Sequence, residues 1–183
     1  MIEYAIGALR EAGLPVSIAG GNPSLANHAP LVKDANAGLG PLSGVCAALS
    51  DSSKTWAVFI PVDLPLLPAA LILFLLQHAR TTGRAVTLAS INGFPQTFPA
   101  VLRTEILPVL LQELEAGGGG CFAAFQAAAA QRAEPLSVVS VEMLVQAGRV
   151  SHPRALPAAR WFLNVNAKQD LRRADAYLQA VTR

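Results

Sequence analysis

The stretch Trp56-Ala57-Val58-Phe59-Ile60-Pro61-Val62-Asp63-Leu64-Pro65 decides the fold class of this chain. Its first five residues are all apolar, which is typical of a central strand that helices cover on both faces of a parallel sheet. An apolar segment over residues 68–80 follows and predicts a long helix. Because a strand that leads into a helix is the repeating unit of α/β folds, the stretch predicts that class.

The same alternation of strands and helices continues on both sides of residues 56–65. Apolar periodicity and helix propensity predict further helices over residues 2–12, 41–49, 105–115, 121–131 and 168–181. Short apolar runs predict further strands over residues 15–19, 31–33, 85–89, 98–102, 136–141 and 161–165. We therefore expect one α/β domain over residues 1–183, with a largely parallel sheet.

The composition argues against several classes of protein. Hydrophobic residues make up 52% of the chain and charged residues 14%, which is typical of a packed domain. The net charge is +2 and the basic residues are scattered, which argues against a nucleic-acid surface. The most apolar run, residues 64–76, is broken by Pro65 and Pro68 and is shorter than the roughly 20 residues that span a bilayer. Since no secretion signal is visible, we expect a cytoplasmic protein without a membrane segment.

Asp63 is the strongest candidate for a functional side chain. It follows the apolar strand, and in open α/β sheets ligands bind beyond the carboxyl ends of the strands. Pro61 and Pro65 restrict the backbone on either side and so fix the direction of the carboxylate. Such a carboxylate could hold Mg²⁺, which prefers a few oxygen ligands and shares the rest with phosphate. The alternative is that Asp63 caps a turn ahead of the helix at Pro68.

Two further polar segments are candidates for ligand contacts. Asp34 follows a shorter apolar strand, and the glycines of residues 38–44 behind it would either let a ligand approach the backbone or serve a tight loop. Near the other end of the chain, Asn164 and Asn166 would point two amides in the same direction if the segment is extended. On spacing alone, Asn166 could equally be the N-cap of the last helix.

The remaining reactive residue types show no catalytic pattern. Cys46 and Cys121 lack metal-ligand spacing, so we expect buried or incidental thiols. The histidines are far apart in the sequence and are expected to be surface or structural residues, namely His28, His78 and His152. The glycine run over residues 117–120 lacks the Lys and Ser/Thr of a phosphate loop, which favours a flexible connector.

Three motifs taken together resemble those of the bacterial molybdenum cofactor guanylyltransferases, which are MobA-like NTP transferases. They are Lys33-Asp34 with Gly40-Pro41-Leu42-Ser43-Gly44, then Phe59-Ile60-Pro61-Val62-Asp63-Leu64-Pro65-Leu66-Leu67, and last Phe162-Leu163-Asn164-Val165-Asn166. Their order and spacing agree with that family over nearly the whole chain. The asparagine pair separates this resemblance from the sugar nucleotidyltransferases, which share the first two motifs only loosely.

The resemblance implies a Rossmann-like, three-layer nucleotidyltransferase fold that transfers GMP from GTP to the terminal phosphate of molybdopterin with Mg²⁺. It implies that Asp63 is both catalytic and the metal ligand, and that Asn164 and Asn166 lie on the pterin side. The nucleotide would be bound by Asp34, Gly40, Pro41, Leu42, Gly44 and Asp63. A molybdoenzyme or its chaperone would be a macromolecular partner. The family usually has a polar contact after the second strand, where this sequence has Ala19-Gly20-Gly21.

The family opens with a strand, a glycine-rich loop that contains Arg, and a following Lys, which together cradle the triphosphate. This sequence begins with the helix that comes next, so we expect the chain as given not to turn over GTP. We also expect an uncovered strand edge at residues 56–60 or 16–19. Three explanations stay open: an ordinary enzyme that starts upstream of Met1, a short form that binds a pterin or a partner without catalysis, or a related cytidylyltransferase that acts on the same cofactor.

Overall fold

The computed structural model describes residues 1–20, 22–34, 38–117 and 120–179. The helices in these ranges are α1 (Ile2–Glu11), α2 (Pro41–Asp51), α3 (Ala69–Thr82), α4 (Leu107–Glu115), α5 (Gly120–Gln131), α6 (Val141–Gln146), α7 (Ala158–Trp161) and α8 (Lys168–Gln179). The strands are β1 (Ile18–Ala19), β2 (Leu31–Val32), β3 (Trp56–Phe59), β4 (Val86–Ile91), β5 (Phe94–Arg103) and β6 (Ser137–Ser140). The predicted α/β class is confirmed. None of the helices in these ranges is both long and apolar enough to cross a bilayer.

The strands form two separate sheets. A four-stranded sheet has the order β3-β5-β4-β6, and β1 pairs with β2 in a second sheet of two strands. The β1–β2 and β4–β6 pairings are parallel, whereas β5 runs antiparallel to both β3 and β4. The pairing is therefore mixed, and β5 is the strand that departs from the parallel arrangement.

The antiparallel pairing of β4 with β5 comes from a two-residue turn between them. Asn92 and Gly93 have φ angles of 52° and 79°, and positive φ at both central residues is the mark of a tight hairpin turn. Because the turn is this short, the two strands continue up to it. They are accordingly longer than the predicted segments 85–89 and 98–102. The Asn-Gly pair is a strong hairpin signal that the strand prediction did not use.

Helices cover both faces of the four-stranded sheet, so the fold has three layers. On one face, α2, α4 and α5 bury Leu49, Leu110 and Phe125 against the strands. On the other face, α3 and α6 bury Leu75 and Leu144. Full burial of side chains of this size stabilises a fold by about 1.5–3 kcal/mol each. The two apolar layers therefore hold the sheet in place and fix the edge where its strands end.

The sequence predicted β3 as a central strand, but β3 lies at one edge of its sheet. Its faces are covered on both sides as expected, with Ala57 and Phe59 on the α2 side and Trp56 and Val58 on the α3 side. In the described ranges, β5 is the one strand that pairs with β3, and β2 the one that pairs with β1. The sequence predicted an uncovered strand edge at residues 56–60 or 16–19, and in the described ranges both β3 and β1 pair with a strand on one side. An apolar strand sequence indicates that helices cover both faces of the strand, but it does not show which strands pair with it. This is why β3 was wrongly predicted to be central.

The C-terminal part of the chain differs from the prediction in two respects. Residues 161–165 were expected to be extended, but Trp161 ends the short helix α7, is 1% exposed, and donates from Nε1 to the carbonyl of Leu156 at 2.8 Å. A helix of one turn is too short to show periodicity. The helix α6 follows β6 directly, with Ser140 as its N-cap, and was not predicted. The closing helix α8 is confirmed, with residues 180–183 outside the described ranges.

Candidate functional site

Asp63 lies in a turn between β3 and α3, close to the carboxyl end of β3. Its side chain is half-buried, and the preceding Val62 is exposed. Directly after it, Leu64 and Leu67 pack into the apolar layer beneath α3, and Leu66 packs into a third apolar cluster with Val165. These buried side chains anchor the turn from below. They hold the backbone that carries Asp63, and the direction of its carboxylate stays a prediction from the flanking prolines.

The Asn-Val-Asn segment contacts the same turn. The backbone N–H of Val165 donates to the carbonyl oxygen of Asp63 at 2.9 Å. The Val165 side chain is buried, whereas Asn164 and Asn166 on either side of it are exposed. This alternation is that of an extended segment, in which residues two apart point to the same side. The structure thus brings together two of the three motifs that the sequence singled out.

The alternative interpretation of Asn166 as the N-cap of the last helix does not hold. The carbonyl of Ala167 accepts from the backbone N–H groups of Asp170 and Leu171, at 3.0 and 3.2 Å, which makes Ala167 the capping residue. The Asp170 carboxylate accepts in turn from the N–H of Ala167 at 3.0 Å, a bond of the capping-box type. Asn166 precedes the cap, so its amide is not used in the way that a capping side chain is.

Asp34 meets the amino end of α2. The hydroxyl of Ser43, in the first turn of that helix, donates to the Asp34 carboxylate, and Ser43 itself is buried. Residues 35–37 of the connecting loop lie outside the described ranges. Ser43 stood inside the quoted motif, but it was not singled out because one serine in a helix has no distinctive signal. The pair fixes Asp34 beside a helix amino end, where negative groups are favoured.

The glycine-containing motif at the start of α2 offers backbone groups to the candidate site and few side chains. Gly40, the residue before the helix, has φ 84° and ψ −173°, a conformation that is essentially restricted to glycine. Pro41 occupies the first helical position, and Leu42 is buried in the core, which leaves its backbone as the part that could meet a ligand. A Cβ on Gly44 would lie 3.4 Å from that of Ala19, an ordinary van der Waals contact, which places Gly44 where α2 packs against β1.

Asp34 and Asp63 each follow a strand, β2 and β3 respectively. The two strands follow one another along the chain with α2 between them, so each acid stands where ligands bind in open α/β folds. Around them, the described residues contain no cluster of three His, Cys, Asp or Glu side chains that could enclose a metal ion. The donor set fits Mg²⁺ held by one carboxylate and completed by phosphate oxygens and water, and not a closed protein cage.

The histidine His152 was expected to be a surface or structural residue, and the structure shows that it is structural. It is 8% exposed, its Nδ1 accepts from the backbone N–H of Arg154 at 3.1 Å, and its ring lies 6.0 Å from that of Trp161. Burial lowers the pKa of His152, while a hydrogen bond to the Leu66 backbone opposes that shift. Since Leu66 follows the Asp63 turn, His152 supports that turn from behind.

The two cysteines and the other two histidines form no catalytic arrangement in the described part of the chain. Cys46 and Cys121 are free and buried, as expected. Burial raises the pKa of both thiols, that of Cys121 to about 11, which disfavours the reactive thiolate. His28 lies 3.8 Å from Glu3, and His78 lies 3.0 Å from the Ser137 hydroxyl. The charge of Asp34 adds to the rise in the pKa of Cys46, which lies in α2 three residues after Ser43.

Together these features define an α/β protein with a candidate ligand site at the carboxyl ends of its strands, built from acidic and amide side chains beside a helix amino end. Residues 1–132 match the family described as the MobA-like NTP transferase domain, and the chain belongs to that family. The family that the sequence motifs indicated is thereby confirmed.

A curated relative shares part of the sequence. A molybdenum cofactor guanylyltransferase of Serratia proteamaculans (strain 568) is 33% identical over 89 residues, which are 48% of this chain and 44% of that protein. The match thus spans less than half of the length of that relative.

Solved structures match nearly the whole chain. The molybdopterin-guanine dinucleotide biosynthesis protein A from Archaeoglobus fulgidus has a TM-score of 0.72 at 16% identity, covering 98% of this chain and 85% of that one. The 2-C-methyl-D-erythritol 4-phosphate cytidylyltransferase from Thermus thermophilus has a TM-score of 0.66 at 16% identity, covering 97% and 88%. At this level of identity the likeness shows the fold, and the predicted Rossmann-like nucleotidyltransferase fold is confirmed.

Proposed function

We propose that this chain carries the core of a nucleotidyltransferase that moves GMP from GTP to the terminal phosphate of molybdopterin and releases pyrophosphate. The observation that carries the proposal is the backbone bond from Val165 N–H to the Asp63 carbonyl. This bond holds the residue with the candidate metal-binding carboxylate next to the segment with the two exposed asparagines. The family assignment and the sequence match to a guanylyltransferase support the same reaction. A cytoplasmic location follows from the reaction and is part of the proposal.

Each polar group has a role in this reaction. An oxygen of the acceptor phosphate attacks the α-phosphorus of GTP, the bond from that phosphorus to the bridging oxygen breaks, and pyrophosphate leaves. Asp63 would hold Mg²⁺, which when bound offsets phosphate charge and orients the triphosphate. Asp34, fixed by Ser43, would contact the nucleotide beside α2, while Gly40, Pro41, Leu42 and Gly44 shape its pocket. Asn164 and Asn166 would orient the acceptor on the pterin side.

The triphosphate itself needs more positive charge than these groups supply. Asp34 and Asp63 are both acidic, and developing negative charge in phosphoryl transfer is stabilised by cations and backbone donors. We therefore propose that the chain as given does not turn over GTP, and that a glycine-rich loop with cationic residues, joined ahead of α1, restores turnover through Asp63.

A second candidate is cytidylyl transfer to the same acceptor. The fold match to a cytidylyltransferase favours it, since the same architecture serves a cytosine nucleotide in that protein.

Transfer of label from the α-phosphate of GTP or CTP to molybdopterin tests both candidates. The extended form should label molybdopterin from GTP and much less from CTP, and the Asp34→Ala variant should reduce labelling. Preferential labelling from CTP would replace the guanylyl by the cytidylyl reaction. Failure of the extended form to transfer either label would contradict the proposed function.

A further inference from the structure

The hairpin of β4 and β5 extends past the end of β3, at the edge of the sheet where Asp63 lies. Phe59, the last residue of β3, pairs with Ala100, which pairs in turn with Leu88 of β4, whereas β5 begins already at Phe94. Because β3 and β4 both run antiparallel to β5, they are parallel to each other and their carboxyl ends share one edge. Two strand spacings, roughly 10 Å, separate them across the sheet. The hairpin tip therefore projects beyond the sheet on the same edge as the Asp63 turn.

Hydrogen bonds hold this tip against the start of α6. The backbone N–H of Asn92, in the turn, donates to one carboxylate oxygen of Glu142. The other oxygen of that carboxylate accepts from the hydroxyl of Ser140, the N-cap of α6, at 3.0 Å. Within the hairpin, the side-chain amide of Gln96 donates to the carbonyl of Phe94 at 3.0 Å. The backbone that carries Phe94 is therefore fixed by bonds to two different elements of the fold.

The side chain of Phe94 leaves the sheet on the face that α3 and α6 cover. Phe94 lies directly opposite Ile91 in the hairpin, and residues in such a pair place their side chains on the same face. Ile91 is buried in the apolar layer of that face, which also contains Trp161 and, from the Asp63 turn, Leu64. The Phe94 side chain is nevertheless 70% exposed, so most of the apolar surface of its ring meets solvent. A fixed, exposed aromatic ring thus lies on the same face and the same edge as Asp63.

We infer that Phe94 stacks on the flat pterin ring of the acceptor and is a specificity-determining residue, an inference that rests on the proposed function. The helix α2, whose first turn holds Asp34, packs on the opposite face of the sheet, so the nucleotide contact and the Phe94 ring belong to different sides. The exposed Asn164 and Asn166 flank the bond from Val165 to the Asp63 turn. Their amides supply hydrogen bonds for the edge of a heteroaromatic ring, and an aromatic side chain supplies a face for stacking.

Binding of 6-hydroxymethylpterin, a fluorescent pterin without a phosphate, tests the inference on the chain as given, because it needs no turnover of GTP. Fluorescence titration gives the Kd for wild type and for each variant. We expect Phe94→Leu to raise the Kd about tenfold, because leucine keeps apolar bulk but has no ring face. Phe94→Tyr keeps the ring and should bind within about twofold of wild type. Leu111→Ala removes an exposed apolar side chain of α4, on the other face of the sheet, and should leave the Kd unchanged.

Equal Kd values for wild type and Phe94→Leu, or no binding of the pterin by wild type, would overturn the inference. A loss of affinity for GMP in Phe94→Leu, with unchanged binding of the pterin, would assign the ring to the guanine base and likewise overturn it. The label-transfer experiment keeps the two proposals apart. If the extended form transfers label and Phe94→Leu leaves its KM for molybdopterin unchanged, the stacking role alone fails. If pterin binding depends on Phe94 but the extended form transfers no label, the proposed function alone fails.

Discussion

The backbone N–H of Val165 donates to the carbonyl oxygen of Asp63 at 2.9 Å, so a turn in the first half of the chain is held by a segment near its C-terminus. The exposed Asn164 and Asn166 flank this bond on one side, and the half-buried carboxylate of Asp63 lies on the other. In the proposed reaction, the carboxylate would hold the metal ion and the two amides would orient the acceptor. The proposed reaction depends on this junction.

Val165→Pro should weaken that junction. Proline has no N–H to donate. We therefore expect the free energy of unfolding to fall by about 0.5–1.5 kcal/mol, the net contribution of one such hydrogen bond. Asp63→Asn is the matched control, because it keeps the backbone carbonyl and removes the charge. It should change the stability by no more than about 0.5 kcal/mol. Chemical denaturation of the two variants measures the difference, and equal stabilities would argue against a structural role for the bond.

Gly40→Ala should destabilise the start of α2. At φ 84° and ψ −173° a side chain is strained, and we expect a loss of about 1–3 kcal/mol in the free energy of unfolding. Gly7→Ala provides a control, because Gly7 lies within α1 and a Cβ there meets nothing within 4 Å. That variant should be more stable by about 0.5–1 kcal/mol. Thermal unfolding of both proteins checks the prediction, which is wrong if Gly40→Ala is neutral.

Stability should fall as the pH drops below about 6.5, the ordinary pKa of histidine. Burial lowers the pKa of folded His152, beside Arg154 and within reach of Glu11, so between the two pKa values the unfolded chain binds a proton that the folded chain does not. The stabilisation is complete above the unfolded pKa and is lost as the pH falls towards the folded value. Denaturation at several pH values in wild type, His152→Gln and His78→Gln measures this. The slope should decrease in the first variant only, and a slope that survives in His152→Gln would assign it to other groups.

Neither thiol should react in the folded protein. Burial raises the pKa of Cys46 and of Cys121, the latter to about 11, so little thiolate exists at pH 8. We expect a colorimetric disulfide reagent to label neither residue within minutes in native buffer and both after unfolding in guanidinium. Rapid labelling of native protein would show that α2 and α5 open easily. Single Cys→Ser variants would then identify the residue concerned.

Much of the fold follows from local patterns in the sequence. The helices α1 and α8 show apolar periodicity, α3 follows from a continuous apolar segment, and all three lie where these patterns predict them. Asp63 was a candidate from the sequence because its strand, its prolines and its acid are contiguous, and its role stays a prediction. The hairpin at Asn92-Gly93 was also present as a local signal, although the strand prediction passed over it.

Other features depend on contacts between distant segments and have no local signal. The position of β3 at the edge of its sheet depends on which strands pair, and apolar composition does not encode pairing. His152 carries no motif, and its role comes from Trp161 and Leu66, which the fold brings to it. Ser43 likewise gains its importance from the carboxylate of Asp34. Tertiary contacts of this kind appear only when the chain is folded.

The most direct test of the account is pyrophosphate release from GTP in the presence of Mg²⁺ and molybdopterin. It compares the chain as given, a form extended ahead of α1 by a glycine-rich cationic loop, and the same extended form with Asp63→Ala. We predict release by the extended form alone, and its loss in the Asp63→Ala variant. Equal release of pyrophosphate by the original chain would contradict the claim that turnover requires the added loop. Undiminished release by the Asp63→Ala variant would contradict the central role of Asp63.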